Sequence, residues 1–142
     1  IPDLPLEETT QFSQIANDFN LDLILLIAPT TPLERMKMIS SRTRGFSYLV
    51  SVTGVTGERN KLENRVENLI GQLKKISSNP IAVGFGISSP EHIIKVRKWG
   101  ADGVIVGSAF VKRISDSKES QIVNEVARFC FEMRSAADMI LD

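Results

Sequence analysis

Two glycine-bearing segments carry residue types suited to gripping an anion. They are Pro80-Ile-Ala-Val-Gly84-Phe85-Gly86-Ile87-Ser88-Ser89-Pro90-Glu91 and Gly103-Val-Ile-Val-Gly107-Ser108-Ala109-Phe110-Val111. Each is an apolar, β-type run that ends in glycine and turns into a helix start. Glycine lets a backbone approach a bound group without Cβ interference, and the N–H groups that open a helix attract negative charge. Gly84, Gly86 and Gly107, with the hydroxyl and amide of Ser108, would form a cradle for a phosphate. Gly84-Phe85-Gly86 is not a dinucleotide fingerprint, because Ser89 stands where a third glycine is needed. One G-x-G would carry little weight, and such glycines can simply permit tight turns. A second glycine-ended strand next in the chain is what turns the pattern into a phosphate reading. Two such ends followed by a short extra helix are the phosphate site of a (β/α)₈ barrel.

Other residues have chemistry but less pattern. Thr53-Gly54-Val55-Thr56-Gly57 reads as a hinged lid, since its glycines permit large backbone changes and long loops at a barrel mouth close over substrate. Tyr48 lies mid-strand and is as well suited to packing as to touching a substrate. Asp3 is an acid at a strand exit, where barrel enzymes keep their chemistry. His92 reads as a surface histidine, Trp99 as a packing residue against the sheet, and Cys130 as buried filler beside Phe129 and Met133. Glu63, Arg65 and Glu67 read as a solvated helix face. No metal-ligand cluster, no Ser/His/Asp set and no pair of carboxylates at matched strand ends can be assembled.

The elements that must position these groups alternate strictly. A helix opened by Glu7 and Glu8 has an apolar face of Phe12, Ile15, Ala16 and Phe19. The run from Leu21 to Ala28 suits a parallel strand buried on both faces. Thr31, Pro32 and Glu34 form a helix start, with Thr31 the cap, Pro32 the first helical residue and Glu34 the reciprocal partner; that helix runs to about Arg42, with Gly45 near its end. A strand over 46–51 and a loop over 52–61 follow. Leu62, Val66, Leu69, Ile70, Leu73 and Ile76 trace one face of a long helix. A strand over 81–83, a helix capped at Ser89 and stopped by Gly100, a strand over 104–106, a short helix over 108–113 and a long last helix complete the order. Such alternation predicts a parallel sheet with right-handed crossovers. The expected fold is α/β, the C-terminal half of a (β/α)₈ barrel, with residues 1–142 a single partial domain. A doubly wound flavodoxin-like sheet is the alternative.

Composition sets the class. Of 142 residues, 42% are hydrophobic and 24% charged, with 17 basic against 17 acidic side chains. These are values of an ordinary globular protein. The neutral balance argues against a nucleic-acid partner, and no apolar run has the roughly 18 residues of a membrane span. A single cysteine, Cys130, points to a reducing compartment. The opening Ile1-Pro2-Asp3-Leu4-Pro5 lacks an initiator Met and signal character and reads as a strand exit, so the chain is expected to be a fragment.

Pro2-Asp3-Leu4-Pro5, Ala28-Pro29-Thr30-Thr31-Pro32, Tyr48-Leu49-Val50-Ser51, Thr53-Gly54-Val55-Thr56-Gly57, Gly84-Phe85-Gly86-Ile87-Ser88 and Gly107-Ser108-Ala109 occur in this order and spacing. By these motifs the chain resembles the C-terminal half of the tryptophan synthase alpha chain family, most like its cyanobacterial, plastid or plant members. The resemblance implies a (β/α)₈ barrel that cleaves 1-C-(indol-3-yl)glycerol 3-phosphate by a retro-aldol step to indole and glyceraldehyde 3-phosphate, in tryptophan biosynthesis. It implies that Gly57, Gly84, Gly86, Gly107 and Ser108 hold the substrate phosphate. Phe85 and Ile105 would wall the indole pocket, Tyr48 would line the cavity, and Thr56 would belong to the lid. Asp3 and Pro5 would face the beta chain, which carries pyridoxal phosphate in an α2β2 assembly; the alpha chain would need no cofactor or metal. The family's catalytic glutamate and aspartate lie in the N-terminal half, so no catalytic residue is expected here and the isolated fragment is expected to be inactive. The implied location is the bacterial cytosol or the plastid stroma. Two alternatives stand beside this reading: a stand-alone indole-glycerol-phosphate lyase, and a non-catalytic half-barrel that binds phosphate ligands or a partner chain.

Overall fold

A computed structural model describes residues 1–50, 59–84 and 86–139, with side chains in the first turn of the third helix (59–63) outside the description. Four strands, β1 (Leu26–Ile27), β2 (Ser47–Val50), β3 (Ile81–Gly84) and β4 (Gly103–Ile105), pair in parallel in the order β1-β2-β3-β4. Helices α1 (Thr9–Asp18), α2 (Leu33–Arg42), α3 (Arg59–Ile76), α4 (Pro90–Lys98), α5 (Ser108–Asp116) and α6 (Ile122–Asp138) alternate with them. Strand order equal to chain order is the arc of a barrel. A flavodoxin-like sheet would shuffle it, so the barrel expectation holds.

Register assigns the faces. Ile27, Leu49 and Val83 are aligned across the sheet and are 0%, 0% and 2% exposed. With Ile81 they meet Met36 and Ile39 of α2, Val66, Leu69, Ile70 and Leu73 of α3, and Ile93 and Val96 of α4 in one core. The opposite face, carrying Leu26, Tyr48, Val50, Ala82 and Ile105, is only half-buried. The 3–4 spacing predicted for α3 is the spacing that fills the core, because i, i+3 and i+4 share a helix face.

The expected strand over Leu21–Ala28 is paired only at its end. Leu23 and Leu25 are still buried in alternation, but Arg44 N–H donates to Leu23 O (3.1 Å) and the Thr43 hydroxyl accepts from Leu25 N–H (2.9 Å). Thr43 also donates to Phe46 O (3.2 Å) and, like Leu25, is buried. One side chain thus serves Leu25 N–H, while Leu25 O accepts from Tyr48 N–H (3.3 Å), where the chain turns through Gly45, whose φ of +75° suits glycine. Thr43→Val keeps the shape and removes both bonds, leaving a buried Leu25 N–H. An expected loss of about 1–3 kcal/mol follows from that unsatisfied donor; an unchanged urea midpoint would rule it out.

Three local expectations are corrected. Pro32, with extended backbone, is the N-cap of α2 and Leu33 its first residue; Thr31 Oγ1 instead accepts from Ala28 N–H (3.0 Å), and Glu34 pairs with Lys37. The hydroxyl serves the strand end, so no capping box forms. On α1, Ala16 packs toward the core, but Phe12, Ile15 and Phe19 are 40%, 50% and 72% exposed. The polar ties here join the 3-10 turn Leu6–Glu8 to α2, through Arg35 to the Glu7 carboxylate and Arg42 to Leu6 O, and join α1 to the turn after α2, through Arg44 to Asn17. The bidentate Arg35 bond holds the Glu7 pKa down at about 2. Cys130 is exposed, because the buried positions of α6 are Phe129, Met133 and Ala136, and 130 lies just past that stripe.

Candidate phosphate site at the strand ends

In a parallel sheet every strand ends at the same edge, so Gly84 and Ile105 come together as a register pair of β3 and β4. Gly84 is also aligned with Val50 of β2. Tyr48, two residues before Val50, shares its face by strand alternation. The structure therefore gathers Tyr48, Gly84 and Ile105 on one concave surface. Val50 belongs to that surface too and went unnoticed in the sequence, although its spacing from Tyr48 was the available signal.

The Tyr48 ring lies across Gly84. A Cβ built on Gly84 would stand 2.3 Å from Tyr48 Cε2 and Oη. Glycine is required here for close approach rather than for a turn. Gly86, by contrast, has a φ of +55° and turns the chain away from β3. Gly107 is the N-cap of α5, and Ser108 is its first residue. The Gly107 carbonyl accepts from Phe110 N–H (2.9 Å) and Val111 N–H (3.2 Å), which closes the first turn. The leading N–H groups of α5 have no intrahelical acceptor. A Cβ on Gly107 would meet nothing within 4 Å. Gly84, Gly86, Gly107 and Ser108 thus lie at one edge of the sheet, with open space at Gly107 and a helix N-terminus beside it.

Asp3 and Pro5 are exposed and precede the 3-10 turn Leu6–Glu8. The Glu7–Arg35 pair joins this segment to the first turn of α2, at the same edge of the sheet but on its β1 flank. Gly57, Thr56 and Phe85 lie outside the described residues. His92 is half-buried, with Nδ1 3.3 Å from Ser88 N–H, and Ser89 is the N-cap of α4. The Ser89 hydroxyl and the backbone N–H of Glu91 lower the Glu91 pKa. Trp99 packs against the core, with Lys95 Nζ 5.6 Å from its ring centroid. No helix among the described residues is long and apolar enough to cross a membrane.

The family model described as the tryptophan synthase alpha chain matches residues 1–138. The chain belongs to that family. A tryptophan synthase alpha chain from Prochlorococcus marinus subsp. pastoris is 72% identical over 97% of this chain and 50% of its own length. One from Trichodesmium erythraeum is 48% identical over 96% and 51%. Among solved structures, a tryptophan synthase a2b2 complex from Pyrococcus furiosus superposes with a TM-score of 0.81 at 39% identity, covering 94% of this chain and 53% of that one. Tryptophan synthase from Mycobacterium tuberculosis gives 0.83 at 31% identity, covering 98% and 51%. The chain therefore spans about half the length of the alpha chains it matches, and its four strands are an arc of their barrel.

Proposed function

We propose that these residues are the phosphate-holding half of an alpha chain that cleaves 1-C-(indol-3-yl)glycerol 3-phosphate to indole and glyceraldehyde 3-phosphate. The observation that carries this reading is the pairing of β3 with β4, which brings Gly84 and Gly86 beside the α5 N-terminus at Gly107 and Ser108. An anion at Gly107 meets the leading N–H groups of α5, the helix dipole and no Cβ. Gly57 would add to the grip from the lid that includes Thr56. Tyr48, Ile105 and Phe85 would hold the indole ring against the concave face, with Val50 beside them.

In the retro-aldol step the bond between indole C3 and the glycerol chain breaks, a hydroxyl proton leaves as the aldehyde forms, and C3 takes up a proton. General acid–base groups move those protons, and by the family resemblance they belong to the half of the relatives that this chain does not span. The role of the present residues is to anchor the phosphate and align the scissile bond. Asp3 and Pro5 would face a beta chain carrying pyridoxal phosphate, and the alpha chain would use no cofactor of its own, working in the cytosol or the plastid stroma.

Gly107→Ala tests the cradle directly. The added methyl has room in the folded chain and enters the space assigned to phosphate. In the full-length protein, KM for the indole-glycerol phosphate is expected to rise about tenfold or more, equal to ~1.4 kcal/mol of binding, with little change in Tm. An unchanged KM would refute the cradle. Complementation is a second check: the N-terminal half of the Prochlorococcus relative, co-expressed with these residues, is expected to restore indole release.

A further inference from the structure

We propose that the cleft between α5 and α6 is a second anion site, separate from the strand-end cradle, that takes a small phosphate ester. Its walls come from the β3–α4 loop, one flank of α5, the turn after it and the start of α6, and it encloses about 690 Å³. That volume is larger than a bare ion needs and falls in the range of small-molecule pockets. Ala109, Lys112, Arg113 and Asp116 line it at i, i+3, i+4 and i+7 of α5. The cradle uses the end of that helix; the cleft uses its side.

The charge balance points to an anion. Lys112 is neutralised by Asp116 (2.9 Å), and Glu125, the other acid lining the cleft, bonds Arg128. Arg113 and Lys118 have no acidic partner among the described residues. Arg113 is held by a face rather than by a charge: its guanidinium carbon lies 4.9 Å from the Phe129 ring centroid, and Phe129 meets Phe110 edge-on at 4.9 Å. A guanidinium set over a ring in this way keeps its N–H groups for a planar or tetrahedral oxyanion. The Ser117 hydroxyl bonds Arg113 O (2.6 Å) and shapes the turn that presents Lys118. Ser88 and Gln121 add neutral hydrogen-bonding groups for the hydroxyls of an ester. Two cations without a counter-ion among the described residues, one set over an aromatic ring, in a cleft of this size form a recognition surface rather than a solvated helix face.

Isothermal titration of the full-length protein with glycerol 3-phosphate, with glycerol as control, separates the two sites. Two phosphate-dependent sites are expected. Arg113→Gln and Lys118→Gln should each weaken one of them at least tenfold and leave the other intact. Gly107→Ala should do the reverse. The Lys118 side chain is exposed, and the one bond described for this residue is from its carbonyl to Gln121 N–H, so its variant remains informative if Arg113→Gln loses the Phe129 packing. A single site removed by Gly107→Ala, or two sites indifferent to both charge variants, would overturn the cleft proposal while leaving the cradle standing. A single site removed by the charge variants would support the cleft and sink the cradle instead.

Discussion

Gly84→Ala is expected to cut kcat/KM of the full-length enzyme about a hundredfold, the scale on which a reacting group displaced by about an ångström loses rate. The added methyl would sit 2.3 Å from Tyr48 Cε2 and Oη and 2.6 Å from Cζ. Backbone movement cannot relieve this, because β3 is hydrogen-bonded to β2 on one side and β4 on the other. The phenol ring must swing instead, and it can move only through the concave face assigned to the indole. Folding should also suffer, by about 1–3 kcal/mol for an overpacked site. Tyr48→Ala in the same chain removes the collision, so the double variant should unfold later than Gly84→Ala alone. A urea titration of the four-membered cycle reads this as a coupling energy. Additive effects, or a Gly84→Ala enzyme with unaltered turnover, would show that the ring does not depend on the missing Cβ.

Leu49→Ala is expected to be the most destabilising single truncation. Leu49 is 0% exposed in β2, aligned with Ile27 on one side and Val83 on the other. Both neighbours are held in their strands, so the vacated volume cannot collapse. A loss of about 3–5 kcal/mol follows for a leucine cavity in rigid surroundings. Leu49→Met should cost less than about 1.5 kcal/mol because it keeps the volume. Leu21→Ala serves as the contrast, with Leu21 63% exposed, and should leave the urea midpoint within error. Equal losses at positions 21 and 49 would contradict the assignment of the core.

The legible parts of the sequence were those governed by short-range rules. The α3 stripe of Val66, Leu69, Ile70 and Leu73 is buried because a single helix face can meet a single sheet face. Gly100 follows the C-cap of α4 with a φ of +94°, as local punctuation predicts, whereas α2 ends at Thr43 and Gly45, with a φ of +75°, serves the turn toward β2. The start of α2 was misplaced by one residue because Thr31 had a choice of partner. Its hydroxyl serves Ala28 N–H at the strand end rather than the helix. The apolar face read on α1 was a true helical stripe, yet periodicity says only that residues share a face. It does not say that the face is covered, and on α1 Phe12, Ile15 and Phe19 stay exposed.

By itself the sequence determined the alternation of helices and parallel strands, the glycine-ended strands and the family motifs, because turn chemistry and hydrophobic period are written in neighbouring residues. Only the tertiary structure decided which groups meet. Tyr48 against Gly84 depends on the register of β2 with β3, and Arg113 over Phe129 depends on the packing of α5 against α6. The two pairs are 36 and 16 residues apart in the chain. No periodicity spans such distances; strand pairing and helix packing set them, through the burial of Leu49, Val83 and Phe129 in one core.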